Sequence, residues 1–446
     1  MMRFPCLLAR VFIVLILMAF IISSATPGYA VSDTIVVNAF HDEVPGTNNN
    51  ACTLREAIRA INLQMSIGGC TANATTNRIV LPAGTFYLSV PGSGEDWAYS
   101  GDLDIRRSLT ITGAGATRTI ITVDTENTQI RDRDRIFHIK NVDAKSVIKV
   151  SFQDLTISNG YAQDKNGGGG ILNENAEVTL KKVIITKNEA AKGTIGGGIL
   201  NSGKMTIENS IIDSNLSTYY GGGVKNHGQM TITNSQITRN SANAGAGMDN
   251  LPDDRSTGFL HMTNVTVAEN QGGGINNSGK FDGINLTIVR NKGIGLDLNG
   301  YDYLVNLRNS IIAYHGESPN CKLQYSETVF VSHGYNLIGN TKSSDSDKIL
   351  CPFNHGTDII DQDPLLSESL VSIENSFTKT YDFASPDSPA IDAIPSSDPY
   401  CPKTDQLLHL RPSPGGTGKA TGCDIGAYEL NGEPTEKFLY LPVLGK

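Results

Sequence analysis

The chain has 446 residues and a formal charge of −9, without a lysine- or arginine-rich stripe, which argues against nucleic acid as a partner because phosphate neutralisation supplies most of that affinity. Glycine occurs 46 times, in clusters at regular intervals, and tryptophan occurs once. This length holds several ordinary domains or one long solenoid, and evenly spaced glycine clusters favour the solenoid.

Residues 1–30 read as a secretory signal. Arg3 and Arg10 flank a charged n-region, Val11 to Ile22 is an unbroken apolar run, and Gly28-Tyr29-Ala30 offers small residues at a cleavage site. That run is short for a membrane span, so no transmembrane segment is expected after its removal. Loss of the two arginines takes the formal charge from −9 to −11.

Residues 31–107 read as an N-terminal cap. Thr34 to Val37 suggests a strand, and Thr53-Leu54-Arg55-Glu56 is a capping box that should open a short helix ending near Asn62. Ile79 to Leu88 and Leu109 to Gly115 look like irregular first coils, and regular coils are expected over 108–316. Once Cys6 leaves with the signal, six cysteines remain, none in a Cys-x-x-Cys pair, so zinc or thioredoxin-like chemistry is disfavoured. Elements of a solenoid contact their neighbours, which favours Cys52–Cys70, Cys321–Cys351 and Cys401–Cys423 among the possible pairings. The first bridge would staple the capping helix by about 3 kcal/mol.

From Gly168 onward one pattern recurs. Glycine clusters precede Ile171, Ile199, Val224, Met248 and Ile275, with Asn173, Asn201, Asn226, Asn250 and Asn277 two positions later. A degraded copy ends at Leu296, and the five intervals average 25 residues. Further along each unit, asparagines six apart recur as Asn209/Asn215, Asn234/Asn240, Asn264/Asn270 and Asn285/Asn291. Apolar residues alternate on either side of the first asparagine, and the phase slips by one there, as for Met205, Ile207, then Ser210, Ile212. Period-two alternation means strands with one buried face. A left-handed bend at Asn209, Asn234, Asn264 and Asn285 would keep both halves facing one interior. Coils stacked at roughly 4.8 Å would then align these asparagines and the Asn173 to Asn277 series into hydrogen-bonded ladders. The fold expected is an all-β, right-handed parallel β-helix with a short N-terminal capping helix. Loop length varies on one side of the shaft, most of all around Pro252 to Thr257.

Residues 317–430 are expected to hold C-terminal coils together with a further region, with 431–446 as a tail. At the ends the sequence is similar to a known family. Cys52-Thr53-Leu54-Arg55-Glu56-Ala57-Ile58 resembles the CSLREA module of bacterial secreted β-helix proteins, with threonine for the usual serine. Asp363-Pro364-Leu365-Leu366, Ser388-Pro389-Ala390-Ile391-Asp392, Asp405-Gln406 and Cys423 to Glu429 resemble the choice-of-anchor Q region, although Leu407 to Leu410 departs from its short link to Arg411-Pro412. The glycine and asparagine repeats are similar to those of polymorphic outer-membrane proteins. The resemblance implies a pectin-lyase-like β-helix exported to the envelope or beyond, a fold that hosts lyases, hydrolases, adhesins and passive surface proteins alike.

Chemistry is sparse. Glycine clusters lacking a following Gly-Lys-Ser/Thr are not phosphate loops. Counting three back from each first asparagine gives Thr206, Thr231, His261, Asp282 and Asn306 as an outward column, which would make His261 and Asp282 neighbours beside the Asp253/Asp254 loop. A His–Asp pair is a candidate general base. Tyr161 and Tyr219-Tyr220, read as loop residues, are candidates for sugar or protein contact. The acidic groups Asp102/Asp104 and Asp358/Asp361/Asp363 match no defined calcium loop, so no metal or cofactor is expected. The function expected is a monomeric, non-catalytic surface module that binds polysaccharide or envelope proteins. The alternatives are a polysaccharide lyase or glycoside hydrolase of the same fold, and a passive stalk.

Overall fold

The computed structural model describes residues 33–47, 49–143, 145–164, 166–191, 193–252, 258–339, 349–373, 376–413 and 421–435. Residues 1–30, Asp253, Asp254 and 436–446 therefore lie outside the described residues. The fold is a parallel β-helix. A long sheet of 17 strand segments and a second of 10 run along the stack, and a narrow third sheet of three strands, continued by isolated bridges, closes the middle coils. Among the described residues no helix is long and apolar enough to cross a membrane.

One coil illustrates the chemistry. Ile199–Asn201 lies in the second sheet, Lys204–Glu208 and Ile211–Asp213 form the two halves of the long sheet's strand, and Leu216–Ser217 belongs to the third. Met205, Ile207 and Ile212 are buried inside, whereas Thr206 and Glu208 face outward. Between the halves Asn209 takes a left-handed φ of 46°, as do Asn234, Asn264 and Asn285 at 50°, 55° and 52°. Even the imperfect copies Asp154 and Lys182 are left-handed here. The next coil stacks in register, with Met205 over Met230 and Ile207 over Ile232.

The two corners of each coil carry asparagine ladders. At one, each side-chain amide of Asn173, Asn201, Asn226 and Asn250 donates to the Oδ1 of the following member, ending at Asn277, and every link is 2.7 Å. At the other, Asn188, Asn215, Asn240, Asn270 and Asn291 are linked through Nδ2 and Oδ1 at 2.8–3.1 Å. Each of these side chains also donates to a strand carbonyl, as Asn240 does to Ile212 O at 3.1 Å. A glycine packs against this second ladder in every repeat. A Cβ on Gly198 would lie 2.6 Å from Gly223 O and 3.0 Å from the Asn215 amide carbon, closer than a side chain tolerates.

One expectation needs correction, and two gain detail. Asn209, Asn234, Asn264 and Asn285 are bends before they are rungs. Asn264 donates to Asn234 at 3.0 Å and Asn309 to Asn285 at 3.3 Å, but between these two rungs Asn285 Nδ2 donates to the Gly426 carbonyl. The left-handed backbone turns these side chains to the outside of the coil, where the returning segment buries Asn264 and Asn285, and the continuous ladder passes to the second asparagine of each pair. The irregular first coil anticipated at Ile79 to Leu88 is present, and the stack begins earlier still. Thr34–Val36 pairs in parallel with Arg78–Val80, which pairs with residues 110–112. The long insertion carrying the helix hides that period in the sequence. Finally, the coils within 317–430 are few. Stacking ends with Ile359–Ile360, and the following chain folds back along the shaft.

Both ends are closed by buried charge. The helix Leu54–Leu63 has the capping box anticipated, with Thr53 and Glu56 bonded reciprocally at 3.2 Å. Arg55, fully buried, pairs with Asp42 at 2.8 Å and donates to the carbonyls of Gly101 and Asp102. In the returning segment, buried Arg411 donates to the carbonyls of Asp424 and Gly426 at 2.9 and 2.8 Å and lies 3.7 Å from the Glu429 carboxylate. Disulfides join Cys52 to Cys70, Cys321 to Cys351 and Cys401 to Cys423, with Cα separations of 4.7, 5.6 and 6.2 Å.

Asn240→Ala removes a rung whose four partners are buried, so a loss of about 2–3 kcal/mol or more is expected from the urea midpoint. Asn209→Ala should cost about 1 kcal/mol through its left-handed φ, and Asn209→Gly should be close to neutral. The second ladder ends on His315, whose Nδ1 accepts the Asn291 N–H at 3.2 Å and whose burial pushes its pKa down to about 4. The unfolded side chain titrates near 6.5, so it takes up a proton on acidification that the folded chain refuses. Stability should therefore fall as pH drops from about 6.5 toward 4. Thermal midpoints of His315→Asn across that window should lose this acid sensitivity.

Candidate functional site

The outer face of the long sheet is divided along its length. Beyond the bend, its C-terminal coils are covered by the returning segment. Leu366, Tyr381, Ala390, Ile394 and Ile425 pack on Ala268, Val289, Ile311, Ala313 and Leu337 as a second apolar cluster. Polar contacts lock this cover on. Thr266 Oγ1 donates to Gln406 Oε1 at 2.6 Å, Ala427 N–H donates to Thr287 Oγ1 at 2.9 Å, and Asn264 Nδ2 donates to Thr404 O at 2.9 Å. The residues singled out near the C-terminus thus converge on one structure. Ser388 bonds the Pro364 carbonyl at 2.7 Å, and Asp424 Oδ1 accepts the Asp392 N–H at 2.8 Å.

Before the bend the same sheet remains open. Thr206, Thr231, His261, Asp282 and Asn306 stand in one column, in direct register from coil to coil. All are partly exposed. His261 Nδ1 lies 3.0 Å from Asp282 Oδ2, and its Nε2 lies 3.0 Å from Thr263 Oγ1. With the Nδ1 proton given to the carboxylate, Nε2 is left to accept from the threonine hydroxyl. A hydroxyl, an imidazole and a carboxylate in line are the parts of a general-base relay. The Phe259 ring stacks beside His261 at 6.2 Å, and at the far end of the column His333 Nε2 reaches Asn306 Oδ1 at 2.9 Å.

The tyrosines fare differently from one another. Tyr219 and Tyr220 are each 45% exposed, as loop residues should be. Tyr220 lies over the buried Lys225 ammonium at 5.7 Å, and Lys225 in turn pairs with buried Asp249. That ring therefore shields an ion pair. Tyr161 is not on a loop. It forms part of the short strand Tyr161–Ala162 in the third sheet and pairs with Glu189. Alternating polarity over two residues is too short a signal to reveal such a strand. The residues able to hold a metal are also elsewhere, at Asp96, Asp104 and His138 beside the capping helix. Sequence spacing did not show them, because 34 positions separate the last two.

No family model matches the chain, and no curated protein or solved structure matches it. The resemblance at its two ends therefore rests on the motif residues themselves.

The His261–Asp282 pair, at 28% and 25% side-chain exposure, is open enough for solvent to screen it. A double-mutant cycle with His261→Ala and Asp282→Ala should give a coupling of about 0.2–1 kcal/mol, with the fold retained by circular dichroism. A larger coupling would make the pair a structural element rather than a surface one.

Proposed function

We propose that the chain is an exported β-helix whose open sheet face binds a polysaccharide strand lying along the coils. The observation that carries this reading is the repeated polar column before the bend. Ser151, Thr179, Thr206 and Thr231 project side by side from successive coils and lead directly into His261, Asp282 and Asn306. On either side run mixed charges and amides, such as Lys149, Glu177, Lys204 and Gln229 in one flank. Hydroxyls repeating at the strand spacing of about 4.8 Å suit a linear polymer of hydroxyl-bearing rings. Protein interfaces instead depend on buried aromatic or aliphatic anchors. This face offers few, and Phe259 beside His261 suits the apolar face of a sugar ring. Three disulfides support export, since such bridges persist in oxidising compartments.

The Thr263–His261–Asp282 line favours one second reading, a glycoside-cleaving enzyme of the same architecture. Screening the purified chain against a polysaccharide panel, for retention and for new reducing or unsaturated ends, separates the two. Retention without cleavage is expected, and Phe259→Ala with His261→Ala should weaken it roughly tenfold, about 1.4 kcal/mol. Cleavage lost in His261→Ala would establish the enzyme. Neither retention nor cleavage, or retention that the double variant leaves untouched, would remove the glycan reading.

A further inference from the structure

At the N-terminal end of the second sheet, the parallel register sets Asp104 opposite His138 on the next coil. Asp96 reaches the same place from the loop before Leu103. That loop is held firmly. The Glu95 carboxylate accepts the N–H groups of Trp97 and Ser100 at 2.9 and 2.8 Å, and the Arg106 guanidinium lies 4.0 Å over the Trp97 ring. Lys140 Nζ binds Asp96 Oδ2 at 2.8 Å and leaves Oδ1 facing His138 Nδ1 at 3.8 Å. Asp104 Oδ1 lies 3.2 Å from that nitrogen, and one ligand atom from each of the three residues falls within 4.8 Å of the others.

Burial makes this more than a cluster of acids. Asp104 has no exposed surface. Its Oδ2 accepts the Ala98 N–H at 2.8 Å, but Oδ1 receives no hydrogen bond. The short approach of Nδ1 does not align a donor with it. His138 is 6% exposed and makes no hydrogen bond through Nε2, which faces Glu174 Oε2 at 3.3 Å. Buried polar atoms in native proteins nearly always find a partner, and Asp104 Oδ1, buried and without a hydrogen bond, is aimed into the corner that Asp96 and the imidazole also face.

We propose that Asp96, Asp104 and His138 bind one divalent transition-metal ion of zinc-like ligand preference, with Glu174 orienting the imidazole from its second nitrogen. An imidazole ligand disfavours calcium and magnesium, which take oxygen donors, and suits zinc and its neighbours. A carboxylate on the far nitrogen of a ligating histidine is the common outer partner of such sites. Two ligand carboxylates balance the ion's charge, while Lys140 and Glu174 offset each other. Asp96 and Glu174, at 39% and 31% side-chain exposure, leave an approach for the ion and for water in its remaining positions. The ion would tie the loop to two coils at once, and a water on it would lie where solvent can reach.

The test uses the purified full chain, stripped with chelator and titrated with cobalt(II), then with zinc in competition. Visible absorption reports the ligand field, and fluorescence reports on Trp97, the single tryptophan, next to ligand Asp96. One equivalent should bind, quenching Trp97. Asp96→Asn and His138→Gln should each weaken binding by more than 100-fold, and Glu174→Gln by about 10–100-fold. Asp282→Asn, on the other sheet, should bind as the parent does. Asp96 is half-exposed, so its variant remains informative should His138→Gln fail to fold. Absence of binding at millimolar metal would overturn the proposal, as would parental affinity in folded Asp96→Asn.

Discussion

The structure depends on one repeated contact, the close approach of a glycine in one corner of each coil to a buried asparagine amide. Gly170, Gly198, Gly223, Gly247 and Gly274 stack so tightly that a Cβ on any of them would lie 2.5–2.6 Å from the carbonyl of the next coil. The Asn188 to Asn291 ladder runs against the same column. Glycine makes room for the amide, and the amide satisfies a backbone N–H above and a strand carbonyl below. An unpaired amide in that position would cost more than the hydrogen bonds contribute, so neither partner can change alone. Two patterns that look separate in the sequence are one interaction seen from its two sides.

A stack of identical contacts has no natural end, and each open edge would expose unpaired strand. The chain closes its ends by burying ionised groups that are hydrogen-bonded to backbone carbonyls. At the N-terminus Arg55 bridges Asp42 and two loop carbonyls, so the helix is fastened to the first coils by its own second residue. At the other end Arg411 lies among Asp405, Asp424 and Glu429, with burial raising the pKa of Glu429 to about 8 and of Asp424 to about 6. Three carboxylates around one guanidinium in a dry site cannot all remain ionised. The returning segment thus holds protons that its unfolded form would release, and its closure should loosen as pH rises through that range.

The repeats were legible in the sequence because both faces of the constraint are local. Glycine triplets mark the tight corner, and the slip in alternation at Asn209 marks the left-handed bend. His261 and Asp282 could be paired from the same count, 21 residues apart in adjoining coils. What escaped reading depends on insertions that break the count. The first coils are separated by a helix and loops, so Asp104 and His138 share no visible period. The Asn209 series and the Asn215 series are equally regular as letters, and only backbone handedness tells which one faces inward. The final fold-back was hidden for a different reason. Its apolar residues, such as Leu366, Ile394 and Ile425, cover the outside of coils instead of filling another one.

This division of labour bears on where function can arise in such a chain. Inward positions are tied to their neighbours above and below, as Met230, Leu260 and Phe281 show, and tolerate change only in volume. Outward positions on the open half of the long sheet are tied to little but solvent and the adjacent column. Along the open face the hydroxyl series of Thr179, Thr206 and Thr231 gives way to His261 and Asp282 while the positions that alternate with them stay buried. The opposite sheet does the same, where its outward column passes from Leu200 to the Lys225–Asp249 pair. A column can therefore acquire charge, a relay or metal ligands without disturbing the core beneath it, provided the new groups satisfy one another across coils. Where Asp104 faces His138, Asp104 Oδ1 lacks a hydrogen bond within the protein, and that incompleteness leaves room for a ligand.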